Sequence, residues 1–411
     1  MRTWRGTSKV MFTLKRIWCR TVQAAFRAAL PLLPYREPQV LTSCDRLFSL
    51  LSESAARSAL IVTSAGSARR GQLDPAVAAL TAAGVRYTVY DRVQPDPTVE
   101  NVEEGLALYR AEGCDLLLAI GGGSAIDCAK AIGARVAYPQ KPIERLSGVM
   151  RVRRRIPTLI AIPTTAGTGS EVTLAAVIKD AAAKSKYALM SFPLIPHYAV
   201  LDPTLTVTMP PYLTATTGMD ALTHAVEAYI GRSTTKRTRR LAEEATALIF
   251  KHLPQAYRDG GDLIARENML NASYRAGAAF SVSYVGYVHA IAHSLGGAYG
   301  VPHGLANAVI LPQVLEAYGK SAHKKLHRLG VAAGVSTEAD PPAVGAEKFI
   351  AAVRALNESL HIPATIPELA TEDIPALAAH AAREANPLYP VPRLMNAREL
   401  AALYGKIATK S

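Results

Sequence analysis

From about Ser58 onward, short apolar runs alternate with longer stretches of helical spacing. "ALIVTS" reads as a strand, "LDPAVAALTAAG" as an amphipathic helix closed by Gly84, and "VRYTVYD" as a second strand. "TVENVEEGLALYRAEG" follows as a second helix and "CDLLLAIGGGS" as a third strand running into glycines. "TLIAIPTTAGTGSE" adds a strand that ends in a loop of small residues, and "AVLDP" a last one. This alternation implies a parallel sheet covered by helices on both faces, with ligands expected beyond the C-terminal ends of the strands. After about Met209 the strand signal stops, and "TGMDALTHAVEAYI", "TRRLAEEATALIFKHL", "RENMLNASYRAGAAF" and "GAEKFIAAVRAL" all carry helical spacing. The proline break in "TVTMPP" sets the expected boundary at residue 207, between an α/β domain over 37–207 and a helical domain over 208–411.

Residues 1–36 precede this pattern. Within them, "VMFTLKRIWCRTVQAAFRAALPLL" spaces apolar residues helically with Lys and Arg between them, the mark of a basic amphipathic helix. Three readings stand side by side: peripheral membrane or partner docking, an organellar targeting segment, and a helix packed on its own protein.

Composition narrows the classes. A chain of 411 residues, 49% of them hydrophobic, has material for two domains with large cores. Its 4 cysteines form no Cys-x-x-Cys pair, which argues against a zinc ribbon or a disulfide framework and for a reducing compartment. No apolar run is long enough to span a bilayer, so the expected location is cytoplasmic, with membrane association through the N-terminal helix left open. The net charge of +13 is clustered: residues 1–36 contain no acid, and "RVRRR" and "KRTRR" form two further patches. Those patches lack interleaved aromatics, which disfavours a nucleic-acid partner.

The chemistry concentrates in four stretches. "IGGGSAIDCAKAIG" puts Gly122, Gly123 and Ser124 between a strand and a helix, where backbone N–H groups and the positive helix end can receive a phosphate. Asp127 falls in the first turn of that helix, placed to cap it or to orient a ligand hydroxyl. "IPTTAGTGSEVT" offers Thr164, Thr165, Thr168 and Ser170 after a second strand, and two such loops suit one elongated dinucleotide. "GMDALTHAVEAY" sets Asp220 and His224 one helical turn apart. "YVGYVHAIAHSLGGAYGVPHG" does the same for His289 and His293, with Gly296 and Gly297 expected to end the helix and His303 to return on the next one. One Asp and three His make an N3O donor set that suits Fe²⁺ or Zn²⁺ better than Mg²⁺ or Ca²⁺.

In their order, "GGGSAIDCAK", "PTTAGTGSEVT", "TGMDALTHAVEAY" and "GYVHAIAHSLGGAYGVPHGLANAVILP" resemble the motifs of the iron-dependent (group III) alcohol dehydrogenases, of the dehydroquinate-synthase-like fold, over about residues 40 to 405. The resemblance implies an NAD(P)-linked alcohol dehydrogenase or aldehyde reductase acting on a small alcohol or aldehyde, and a homo-oligomer, dimer or higher. It implies that Asp220, His224, His289 and His303 hold Fe²⁺, with Zn²⁺ fitting the same ligands, and that His293 faces nicotinamide and substrate as a proton relay. It further implies that Gly122, Gly123, Ser124 and Asp127 meet the pyrophosphate side of the cofactor, Thr164, Thr165 and Thr168 its middle, and Lys186 its ribose. The family often ends its first strand "VTD", whereas this chain reads "IVTSAGSARRG", with Ser64 in place of the acid and Arg69 and Arg70 nearby. Loss of the acid removes repulsion against a 2′-phosphate, so NADP is expected alongside or ahead of NAD. The alternatives are a glycerol-type polyol dehydrogenase or a dehydroquinate-synthase-like lyase of the same fold, and a membrane- or nucleic-acid-binding protein with a structural metal.

Overall fold

The computed structural model describes residues 3–180 and 185–409, and side chains over 14–180 and 188–409. Its strands are β1 (Gln39–Leu41), β2 (Ser58–Val62), β3 (Arg86–Tyr90), β4 (Leu116–Gly121), β5 (Gly148–Val149), β6 (Thr158–Pro163), β7 (Ala175–Asp180), β8 (Ser185–Met190) and β9 (Tyr198–Val200). Six of them form a wholly parallel sheet in the order β1-β9-β6-β4-β2-β3. Side chains alternate across the sheet, so Leu60, Val62, Leu117 and Ala119 enter one core with Ile126 and Ile132. Ala59, Ile61, Leu118 and Ile160 enter the other with Leu47 and Leu80. Burial on both faces explains why these strands read as unbroken apolar runs.

From β2 the chain steps to β3 on one side and then to β4 on the other. Loops leaving the carboxyl ends of β2, β4 and β6 therefore stand side by side at a switch point, where open α/β sheets bind ligands. A second sheet, β5-β8-β7, is not legible in the apolar runs. Its strand β7, "AAVIKD", alternates buried Ala176 and Ile178 with exposed Val177 and Lys179, a short one-sided pattern built partly from poor strand formers.

The remainder is helical, including Pro211–Ile230, Lys236–Arg258, Leu263–Ser283, Tyr287–Tyr299, His303–Tyr318 and Ile374–Ala385. The four cysteines are buried and unpaired. No helix among the described residues is long and apolar enough to cross a membrane.

The chain resolves into an α/β unit, Pro34–Thr217 with Gln255–Ser281, and a helical unit, Met1–Leu33 with Gly218–Pro254 and Val282–Ser411. This division differs from a single cut at 207. Glycine contacts supply the reason: a Cβ on Gly167 would lie 2.6 Å from the Thr217 Cβ, and one on Gly169 (φ +61°) would lie 2.7 Å from the Gly277 Cα. Backbone approach this close ties residues 211–217 and the Gln255–Ser281 segment to the sheet's loops.

Within the helical unit, helix Thr3–Ala29 lies against the chain near residues 386–393. Arg20 donates to the carbonyls of Val391 (2.8 Å) and Pro392 (3.0 Å), and Gln23 to those of Pro387 (3.1 Å) and Tyr389 (2.8 Å). The Phe26 ring meets Tyr284 edge to face at 5.2 Å, and Cys19 is buried. One face of the amphipathic helix thus packs on the protein's own body.

Candidate metal centre and nucleotide loops

Helix Pro211–Ile230 carries Asp220, His224 and Glu227 at i, i+4 and i+7, all facing inward and each at most 5% exposed. Helix Tyr287–Tyr299 starts from Gly286 and sets His289 in its first turn and His293 one turn later. It runs through Gly296 and Gly297, correcting the expected stop there, and ends at Gly300, whose φ of +70° and N–H bond to the Gly296 carbonyl (3.1 Å) form a left-handed cap. Pro302 then caps helix His303–Tyr318, which presents His303 and, one turn on, Asn307.

These elements bring one ligand atom each of Asp220, His224, His289 and His303 within 4.8 Å of one another. The rings of His224 and His289 stack with centroids 4.6 Å apart. Asn307 tests whether a cation fits. Its fully buried amide nitrogen faces three acceptors, Asp220 Oδ1 at 2.6 Å, His303 Nε2 at 3.1 Å and His289 Nε2 at 3.4 Å. An amide with two hydrogens cannot serve all three atoms, whereas a cation can take one lone pair from Asp220 and one from each neutral ring. The residues fit a divalent transition metal of the N3O class.

Glu227, absent from the motif reading, sets the chemistry of His289. Its Oε2 accepts from His289 Nδ1 (2.7 Å) and the Gly286 N–H (2.7 Å), and its Oε1 from the Val288 N–H (2.8 Å). The hydrogen on Nδ1 leaves the Nε2 lone pair pointing at the cluster, the arrangement of a carboxylate–histidine–metal triad. A Cβ on Gly286 would lie 2.6 Å from Glu227 Oε1, so only glycine lets the helix begin this close to the carboxylate. Burial raises the Glu227 pKa to about 7 against three hydrogen bonds that lower it. Burial, and then the neighbouring histidines, hold His289 well below its ordinary range, in the neutral form a metal requires. The signal for Glu227 was the i+7 position on the face of Asp220 and His224.

His293 stands beside the cluster, its ring stacked on that of His303 at 5.2 Å. Its Nδ1 is 2.6 Å from Glu384 Oε1, which also accepts from the Tyr389 hydroxyl at 2.8 Å. Burial alone would push Glu384 upward, but the His293 charge and the bonds from His293 and Tyr389 hold it below its ordinary value. The side chain of His293 is 40% exposed, open enough to exchange a proton.

In the α/β unit, Gly122 caps helix Gly123–Ala137. A Cβ on Gly123 would lie 2.8 Å from Thr168 Oγ1, and one on Gly122 3.4 Å from Thr165, so the two small-residue loops lie together. Ser124 follows in the first helical turn, and the Thr164 N–H donates to the Gly121 carbonyl at 3.0 Å while its side chain is buried. The Asp127 carboxylate is engaged inside the protein, accepting from Ser170 Oγ and from the Val177 N–H at 2.9 Å. Beside it Lys130, also unforeseen, is fully buried and donates to the Thr173 carbonyl (2.9 Å), Thr173 Oγ1 (2.9 Å), Ala175 carbonyl (2.7 Å) and Ser170 Oγ (3.2 Å). Ser64 caps the short helix Ala65–Arg69 by accepting from the Ser67 N–H at 3.3 Å. Arg69 and Arg70 are exposed next to it. The Lys186 side chain lies outside the described residues.

Known proteins place these features in context. Residues 40–203 match the family model for iron-containing alcohol dehydrogenase, and residues 214–408 the C-terminal model of the Fe-containing alcohol dehydrogenase family. The 1,3-propanediol dehydrogenase of Klebsiella pneumoniae is 38% identical over 352 residues, covering 85% of this chain and 90% of that one. Alcohol dehydrogenase 4 of Saccharomyces cerevisiae (strain YJM789) is 41% identical over 333 residues, covering 80% of this chain and 85% of that one. A crystal structure of 1,3-propanediol oxidoreductase matches with a TM-score of 0.86 and 36% identity, over 91% of this chain and 99% of the other.

Proposed function

The chain belongs to the iron-containing alcohol dehydrogenase family, and we propose that it interconverts a small alcohol and its aldehyde at the cluster of Asp220, His224, His289 and His303. It is an NAD(P)-linked oxidoreductase acting on CH–OH groups. The observation that carries the site assignment is the convergence of one ligand atom each from Asp220, His224, His289 and His303, brought in by three helices, within 4.8 Å of one another.

A divalent metal ion held by Asp220, His224, His289 and His303 would supply a Lewis acid for the alcohol oxygen, and a nicotinamide nucleotide would supply the hydride acceptor. The protein's own groups do the rest. Glu227 keeps the proton of His289 on Nδ1 and so fixes its tautomer. His293 takes the hydroxyl proton on Nε2 while its Nδ1 hydrogen stays with Glu384, whose charge stabilises the imidazolium that forms. Gly122, Gly123 and Ser124 present the start of helix Gly123–Ala137 to the pyrophosphate, with Thr165 and Thr168 alongside.

The preferred nucleotide is NADP(H). Ser64 at the end of β2 caps a helix and brings no carboxylate to repel a 2′-phosphate, while the exposed Arg69 offers a charge-assisted bond to one. Relatives in the family are named for NAD and for NADPH.

The test is metal analysis of anaerobically purified protein together with two variants. His303→Ala should lose iron and turnover together. His293→Ala should keep the iron and lose turnover. Full metal occupancy in His303→Ala would overturn the ligand assignment.

A further inference from the structure

The docked face of helix Thr3–Ala29 has an opposite number. Cys19, Gln23 and Phe26, at i, i+4 and i+7, lie against the body. Leu14, Ile17 and Trp18 point the other way and are 61%, 59% and 61% exposed. Thr21, Ala25 and Ala28 continue the same stripe at helical spacing and are also exposed. A helix that needed only to pack on its own protein would have no reason to keep a second apolar face in water.

Charge names the occupant. The stripe is bordered by exposed Lys15, Arg16 and Arg27, and residues 1–36 hold eight Lys or Arg and no acid. The rim extends into the rest of the helical unit: Lys325 donates to the carbonyls of Ile230 and Gly231, and its pKa is lowered to about 8 by burial and by the charges of Arg239, Arg27 and Arg232. Arg232, one of those charges, is itself exposed. Two copies packed stripe to stripe would bring these cations together with no acid on the helix to pair them, so self-association is opposed by the same charges. A stack of bases is not served by a face with a single aromatic ring. An apolar stripe with an indole, rimmed by cations, fits the headgroup boundary of a bilayer, where the indole sits at the interface and the basic groups meet lipid phosphates.

We infer that the outer face of this helix docks the enzyme on an anionic phospholipid surface, with Leu14, Ile17 and Trp18 entering the acyl boundary and Lys15 and Arg16 on the headgroups.

The chain has 2 tryptophans, so Trp4→Phe makes Trp18 the sole indole reporter. That protein should sediment with vesicles of phosphatidylglycerol and phosphatidylcholine in equal parts at low salt, with a blue shift of Trp18 emission. It should not bind phosphatidylcholine alone, and should release in molar salt, where the screening length falls to about 3 Å. Ile17→Asp with Trp18→Asp in the natural background should weaken vesicle partitioning about a hundredfold, and Lys15→Glu with Arg16→Glu at least about tenfold. Melting temperature and alcohol dehydrogenase turnover in solution should be unchanged in both. Absence of sedimentation with the anionic vesicles and an unshifted Trp18 would overturn the inference. So would undiminished binding by the Asp pair, or a dimer of the natural chain that the Asp pair dissolves, which would assign the stripe to a second copy.

Discussion

Glu227 supports the site from outside its four-residue cluster. Three hydrogens converge on its two oxygens, from Gly286, Val288 and His289. In Glu227→Gln one end of the side chain becomes an NH2 facing one of those donors, so either the helix start or the His289 tautomer loses its acceptor. Metal affinity should fall about ten- to a hundredfold, read by competition with a chelator. Equal affinity in the variant would mean that His289 is oriented by packing alone. Away from the site, His197 ties β9 to β6: its Nδ1 accepts from the Leu159 N–H at 3.1 Å, which requires the neutral ring. Burial, then Arg36 and Arg155, lower its pKa from 6.5 to about 4. A depressed pKa in the folded state means that the stability it contributes is full above 6.5 and is lost as pH falls through about 4, because the unfolded chain takes up the proton first. Melting temperature should therefore fall across that window, and His197→Asn, which can still accept from Leu159, should flatten the fall. An unchanged acid limb in His197→Asn would assign the loss to other groups. The pairs Asp220–His224 and His289–His293 were legible because four-residue spacing on a helix is written directly in the chain. Lys130 was not, since an inward-facing charge looks the same in sequence as one on the surface, and the i+7 spacing of Glu227 is shared by many carboxylates that face solvent.

At the level of elements, what was legible is periodicity long enough to repeat. The strands with both faces buried and the helices after Met209 stood out for that reason, whereas β7 and β8 pair through short mixed stretches whose only unifying feature is the contact itself. The helix over 287–299 outran the expected glycine stop because Gly296 and Gly297 adopt ordinary helical geometry, and only Gly300 needs the left-handed one. The glycines that matter most here do so by proximity. Gly123 is the starting point of its helix and meets the Thr168 side chain, so the two small-residue loops are spaced by a missing methyl group. Gly123→Ala puts a Cβ 2.8 Å from Thr168 Oγ1 and must move one loop from the other. The expected outcome is a raised KM for the nucleotide with iron content unchanged, and partial recovery when Thr168→Ser removes the Cγ2 that also lies 2.9 Å from the added atom. A variant with normal nucleotide KM would show that this spacing is not used in binding.

Across the whole molecule, motif order was legible and the partition of the chain was not. A sequence reading cuts once, near 207, while the chain returns Gln255–Ser281 to the α/β unit and gives Met1–Leu33 to the helical one. Such returns depend on contacts between distant residues, Gly169 with Gly277 for example, which leave no periodic trace. The partition has a chemical consequence. Asp220, His224, His289, His303, Glu227 and Asn307 all belong to the helical unit, and Ser64, Gly122, Gly123, Thr165 and Thr168 all belong to the α/β unit. Each proposed set lies within one unit, so the metal and the nucleotide should each bind without needing the other's side chains. Removing the metal with a chelator should abolish turnover while nucleotide affinity, followed by NAD(P)H fluorescence, stays within a factor of about three, less than about 1 kcal/mol. Returning Fe²⁺ at a hundredfold excess over its Kd should stabilise the protein by about 2.7 kcal/mol through binding to the folded state alone. A collapse of nucleotide affinity on chelation would show instead that the metal organises the nucleotide loops, and would assign the cluster a structural role on top of its chemical one.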